Sequence, residues 1–159
     1  MAEQVAEKQG IGEAIGRIPS GVFVVTAKDD SRKVGMLASW VQQVGFEPPT
    51  ISVAVHPDRE LYALIQETGY FTINVLSNTN MNLMKNFGRY SPEQFDGIAC
   101  RENQAGVILE DAVAMMQCRV KDKAMVADHH LFIGEVMDGA ILTKECEPMV
   151  HLRKSGFNY

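Results

Sequence analysis

The chain has 159 residues, 46% of them hydrophobic, which suits one domain with a single core. Its 15 basic and 20 acidic residues leave a net charge of −5 with no run of Lys or Arg, which argues against nucleic acid as a partner. No stretch of 18 consecutive apolar residues is present, and Ala2-Glu3-Gln4-Val5-Ala6-Glu7-Lys8 lacks the basic start and apolar centre of a signal peptide, so a cytoplasmic protein with no membrane span is expected.

In chain order, residues 1–12 read as a flexible polar arm, with a short surface helix as the alternative over residues 1–10, and residues 13–159 as the domain, opening with a short helix over 13–18 that stops before Pro19. Gly10-Ile11-Gly12-Glu13-Ala14-Ile15-Gly16 imitates a dinucleotide fingerprint. Its third glycine comes one place late and no hydrophobic strand precedes it, so that reading is rejected. The β-branched run 21–27 predicts a buried strand, Asp29-Asp30-Ser31-Arg32 a turn, and 34–44 the returning strand of a hairpin. Pro48-Pro49 forbids helix ahead of a third strand over 51–55.

Asp58 is placed to cap a helix bearing Leu61, Leu64 and Ile65 at helical spacing, with Gly69 closing it. A strand over 70–76 follows. Another helix starts at Asn78 or Thr79 and carries Leu83, Met84 and Phe87, and Ser91-Pro92-Glu93 opens a further turn. Two long strands, about 113–125 and 131–142, precede an irregular tail. The sum is a mainly β protein with inserted helices, best arranged as a closed or nearly closed barrel that hides its sheet edges.

Cys100, Cys118 and Cys146 are widely spaced with no Cys-x-x-Cys pair, so neither a disulfide framework nor a thiolate zinc site is indicated. His129 and His130 are neighbours whose side chains diverge if they lie on a strand, so no metal site is expected there. The most informative stretch is Gly35-Met36-Leu37-Ala38-Ser39-Trp40-Val41. It sets small, hydroxylated and aromatic residues side by side ahead of Phe46-Glu47-Pro48-Pro49 and Thr50-Ile51-Ser52-Val53-Ala54-Val55, a surface suited to a flat, partly polar ligand.

These landmarks are joined in order by Phe71-Thr72-Ile73-Asn74-Val75-Leu76 and by Asp128-His129 before Phe132-Ile133-Gly134-Glu135-Val136. Together they make residues 16–159 resemble the flavin reductase-like family, the FMN-binding split barrels, including the version fused to the end of flavodiiron proteins. The resemblance implies a Greek-key split β-barrel and a homodimer with flavin near the subunit interface. It implies an FMN-binding oxidoreductase that moves a hydride from NADH or NADPH, as co-substrate, to flavin and passes electrons to free flavin or a partner acceptor protein. Cofactor contacts are implied for Met36, Leu37, Ala38, Ser39, Trp40, Val55, His56, Arg59, Asn74, Val75, Leu76, Lys85, Phe87 and Arg153, and a catalytic position at the flavin rim for His129.

Residue chemistry accommodates these roles and leaves alternatives. Isoalloxazine needs apolar surface plus donors near N1 and the C2 carbonyl, which Ser39 and neighbouring N–H groups can supply; Trp40 alone reads equally as core packing. Arg59 at a helix start suits a phosphate, although Asp58 competes for the same N–H groups and the family often has a Ser or Thr pair here; a solvated surface charge is the alternative. Asn74 fits a pyrimidine-like edge or a turn, and Phe87 a flavin cover or the core. Lys85 could assist at the phosphate. His129 fits a nicotinamide contact or a hairpin surface, while Arg153 and Lys154 fit a diphosphate or an exposed tail. An FMN-binding electron carrier without NAD(P)H oxidation, or a barrel that has lost flavin and takes another planar ligand, are the competing functions. No metallo-β-lactamase-like histidine cluster is present, so a separate electron acceptor is expected.

Overall fold

The computed structural model describes residues 2–158. Helices α1 (Ala2–Gly16), α2 (Glu60–Thr68) and α3 (Met81–Phe87) are set among strands β1 (Ser20–Gly21), β2 (Phe23–Lys28), β3 (Lys33–Ala38), β4 (Val41–Phe46), β5 (Pro49–Val55), β6 (Tyr70–Val75), β7 (Cys100–Glu102), β8 (Val107–Leu109), β9 (Ala114–Met125), β10 (His130–Ile141) and β11 (Val150–His151). Seven strands form one antiparallel sheet in the order β3-β2-β6-β9-β10-β5-β4, and the pairs β1-β11 and β7-β8 stand beside it.

Strand β2 explains how the sheet is buried on both sides. Val25 and Ala27 join a core with Val53 and Val55 of β5, Phe71 and Ile73 of β6, Cys118 of β9, Phe132 of β10 and Leu61, Leu64 and Ile65 of α2. Val24 points the other way, into a second core with Leu83 and Phe87 of α3 and with Val107 and Leu109 of β8. Side chains from strands far apart in the sheet order meet in the first core because the sheet curls on itself, and α2 packs on β2, β3 and β6. This is the mainly β, helix-inserted split barrel expected from the sequence.

Several boundaries differ. The helix read over 13–18 runs from Ala2 to Gly16, through the segment read as an arm. The single strand read over 34–44 is two strands: β3 pairs with β2 as far as Ala38 opposite Phe23, then β4 pairs with β5 from Val41 opposite Val53. The apolar run is continuous, so periodicity carries no mark of this change of partner. Helix α2 starts after Arg59, whose extended φ of −82° and ψ of 137° make it the cap residue, and Asp58 makes no capping bond. At the other end Gly69, at φ 75°, donates its N–H to Ile65 O, closing the helix as read. Asn80, rather than Asn78 or Thr79, precedes α3 and takes the Ser77 N–H on its Oδ1 at 2.9 Å.

The short β7-β8 hairpin has no counterpart in the sequence reading, and two buried polar side chains fasten it. Asn74 on β6 donates to Val24 O (3.2 Å) and Val107 O (3.1 Å) and accepts from Leu109 N (2.8 Å). Thr26 on β2 donates its hydroxyl to Val107 O at 2.7 Å and accepts from Val107 N at 2.9 Å. Replacing Asn74 by Ala removes three buried hydrogen bonds and strands the Leu109 N–H, while Val107 O keeps the Thr26 hydroxyl, so the unfolding free energy should fall by about 3 kcal/mol in urea denaturation with an unchanged m-value. Cys118 is buried, and burial pushes its thiol up to about 12. A disulfide reagent at about pH 8 should label the half-buried Cys100 and Cys146 and reach Cys118 only after unfolding.

Candidate functional site

Strands β3 and β4 follow each other in sequence yet form the two opposite edges of the seven-stranded sheet. Ser39 and Trp40 carry the chain across that split, and Trp40 O accepts the Ala54 N–H at 3.0 Å. A cleft of ≈ 360 Å³ opens at the crossing. Its apolar side is built from Val22, Met36, Leu37, Ala38 and Ala54, with Met84 and Gly88 at the end of α3 and Met149 and His151 from the tail. Its polar side is built from Ser39, Trp40, His56, Arg59 and His129.

The electrostatics run against the acidic character of the chain as a whole. Three of its four histidines and Arg59 line the cleft, and among the described residues no carboxylate does. Asp58 and Asp128 stand outside the lining, with Asp58 Oδ2 3.7 Å from His56 Nδ1 and Asp128 Oδ1 3.1 Å from His129 Nδ1. The hydrogen bond with His129 holds the Asp128 carboxyl below its usual range. The His129 ring meets Trp40 edge-on at 4.8 Å and His56 at 5.2 Å between centroids. His130, the first residue of β10, has its Nδ1 2.8 Å from the Tyr62 hydroxyl, whereas His129 lies in the bend before the strand, so the two imidazoles have different neighbours without sharing a strand. Among the described residues, no group of three or more His, Cys, Asp or Glu side chains is placed to hold a metal ion.

Ser39 is 9% exposed, and its Oγ is buried without a hydrogen-bond partner. A buried hydroxyl left unpaired is costly and rare, and here it belongs to a residue that lines the cleft. The N-terminus of α2 is a second source of unused donors, since its cap residue, Arg59, offers no side-chain bond to the first-turn N–H groups.

Of the positions singled out in the sequence, Met36, Leu37, Ala38, Ser39, Trp40, His56, Arg59 and His129 come together in this lining. Arg153 is adjacent to it, with its guanidinium 5.4 Å from the Trp40 ring centroid. The others do not line it. Val55, Leu76 and Phe87 are core side chains at 0%, 0% and 2% exposure, turned inward by strand alternation or by the buried face of α3. Asn74 is fully buried and engaged with three backbone groups. Val75 stays within the β6 ladder, and Lys85 is an exposed residue of α3. The sequence reading missed Val22, Ala54, Met84, Gly88, Met149 and His151. Ala54 was recoverable, since it alternates with the inward-facing Val53 and Val55, whereas Met149 and His151 lie on a tail with no periodicity.

An open antiparallel barrel whose split holds a largely apolar cleft, with Arg59 and no carboxylate of the described residues in its lining, is suited to a flat, anionic ligand, and comparison with known proteins specifies the family. Residues 15–158 match the flavin reductase like domain, and the chain belongs to that family. It is 38% identical over 152 residues to diflavin flavoprotein A 1 of Synechocystis sp., covering 92% of this chain and 26% of that protein. The chain thus spans about a quarter of the length of the curated relatives it matches. Among solved structures it resembles the NADH:FAD oxidoreductase SgcE6 of Streptomyces globisporus, with a TM-score of 0.81, 26% identity and coverage of 91% of this chain and 87% of the other. It also resembles the flavin reductase HpaC complexed with NADP+, with a TM-score of 0.79, 26% identity and coverage of 97% and 95%.

Because the Ser39 hydroxyl is stranded in the ligand-free protein, Ser39→Ala should leave ligand-free stability unchanged or raise it by up to about 1 kcal/mol, a gain of about 2–4 °C in Tm. A clear fall in Tm by calorimetry would mean that the hydroxyl is already satisfied within the fold.

Proposed function

We propose that the chain is an FMN-binding oxidoreductase that takes electrons from NADH or NADPH and passes them to free flavin or to a separate acceptor protein. The observation that carries this reading is the cleft at the split: apolar along β3, lined by Arg59 and by no carboxylate of the described residues, with the buried, unpaired Ser39 hydroxyl on one of its lining residues. These residues fit the group. Met36, Leu37, Ala38 and Ala54 would give an isoalloxazine its apolar support, and the Ser39 hydroxyl would donate to its polar edge. Arg59 and the open N-terminus of α2 would hold the phosphate through charge-assisted hydrogen bonds.

When bound, FMN supplies the two-electron chemistry that accepts from a reduced nicotinamide. The protein's own part is positional: Trp40 and His129 wall the cleft on one side and exclude water, and His129 is the candidate contact for the nicotinamide. No side chain need act as acid or base in such a transfer. The names of the similar structures, an NADH:FAD oxidoreductase and a flavin reductase carrying NADP+, favour a nicotinamide donor without choosing between NADH and NADPH. A homodimer is part of the proposal, supported by Val44 at 55% and Phe46 at 88% exposure on β4, which ends the sheet with one side unpaired among the described residues. Among the described residues no helix is long and apolar enough to cross a membrane.

Purified protein should take up FMN, and anaerobic NADH or NADPH, added separately, should bleach its visible flavin band. Uptake without bleaching by either nucleotide would favour an electron carrier, and failure to take up FMN would defeat the reading altogether. Arg59→Ala should weaken FMN about tenfold, the size of a charge-assisted phosphate contact, while changing riboflavin binding less than about twofold. Equal losses for both ligands in calorimetry would remove Arg59 from the phosphate site.

A further inference from the structure

The false dinucleotide fingerprint has a use in the fold. Gly12 and Gly16 are four apart on α1 and so share one face. A Cβ on Gly16 would sit 2.7 Å from Arg153 O, and one on Gly12 would sit 2.9 Å from Ser155 Oγ and 3.0 Å from the Phe157 ring. The contact at Gly16 is with tail backbone and cannot be accommodated without moving it, whereas the contacts at Gly12 are with the Ser155 and Phe157 side chains and would displace those. Gly10, the remaining glycine of the pattern, has open space around it.

The tail, residues 150–157, is fastened along its length. β11 pairs with β1, setting His151 opposite Ser20, and Gly156 donates its N–H to Gly12 O at 2.6 Å. Gly156 is itself bare against Ile15, and Lys8 Nζ lies 5.6 Å from the Phe157 ring centroid. From this seat the tail presents Arg153 to Trp40 at 5.4 Å, and Trp40 in turn meets His129 at 4.8 Å in the cleft wall.

We propose that Gly12 and Gly16 are remote positioning residues for the cleft: they seat the C-terminal tail on α1 so that Arg153 holds Trp40 in place as the cleft wall. Neither glycine lines the cleft: Gly16 acts through the tail backbone, and Gly12 through the Ser155 and Phe157 side chains. The claim about Trp40 stands on geometry alone, and only its ligand-binding arm rests on the flavin reading.

Trp40 is the sole tryptophan of the chain, so its fluorescence reports the wall directly. In the full chain without ligand, Gly16→Ala and Arg153→Ala should both red-shift Trp40 emission and increase its quenching by acrylamide, with the far-UV circular dichroism unchanged. Gly10→Ala, on the same helix, should do neither. Phe157→Ala loosens the same seat without adding an atom; it should red-shift Trp40 as Gly16→Ala does, and it carries the test of the seat should Gly16→Ala fail to fold. In the binding arm, Gly16→Ala and Arg153→Ala should raise the Kd for FMN about two- to fivefold, the factor a partly exposed cation–π contact is worth. Wild-type emission in Arg153→Ala, or in both Gly16→Ala and Phe157→Ala, would overturn the proposal, as would an equal shift in Gly10→Ala. Should the wild-type protein bind no FMN, the flavin reading falls while the emission series still decides the role of the seat.

Discussion

The site depends on one constraint of connectivity: two consecutive strands are forced to opposite edges of the same sheet. β3 is committed to β2 and β4 to β5, so the chain between them has to bridge a gap that no strand closes. Ser39 and Trp40 make that bridge, and their polar groups have no ladder in which to be satisfied. Trp40 O recovers a partner in Ala54 N, but the Ser39 hydroxyl does not. On the proposed reading, an unpaired buried hydroxyl beside an apolar strand would favour a ligand that joins an apolar face to a hydrogen-bond acceptor.

Charge placement adds the second half of the specificity. A chain with net charge −5 attracts no anion through its overall field. Inside the cleft the sign reverses locally, because the Arg59 guanidinium lines it while Asp58 and Asp128 stay outside the lining. At the spacing of these groups, local charges in a partly enclosed site outweigh a diffuse surface charge screened by salt. In the proposed complex the anion and the apolar ring of one ligand would be received by different sides of the same cleft: the start of α2 for the first, β3 and β5 for the second.

Much of this was legible in the sequence, for physical reasons that can be named. Strand β2 and helix α2 announce themselves because burial imposes a periodicity, and Gly69 because a left-handed cap leaves few choices. The apolar ribbon from Met36 to Trp40 and the position of Arg59 at a helix start were readable because unlike residue types stand close together there, although the cap itself was read as Asp58 and is Arg59. What stayed hidden depends on long-range pairing. Nothing local says that Ala38 and Val41 have different partners, or that Asn74 is consumed by a hairpin more than thirty residues away. Likewise Phe87 and Leu76 lie near the flavin segment in sequence but turn into the second core. The glycines of α1 looked like a failed nucleotide motif because their partner, the tail, lies at the far end of the chain.

The account stands or falls on occupancy of the split. A crystal structure of the protein grown with FMN is the most direct measurement. It should show the ring system between β3 and β5, an acceptor atom within hydrogen-bond reach of Ser39 Oγ, and the phosphate at the start of α2. A ring bound elsewhere on the barrel, or a Ser39 hydroxyl still without a partner in the complex, would contradict it.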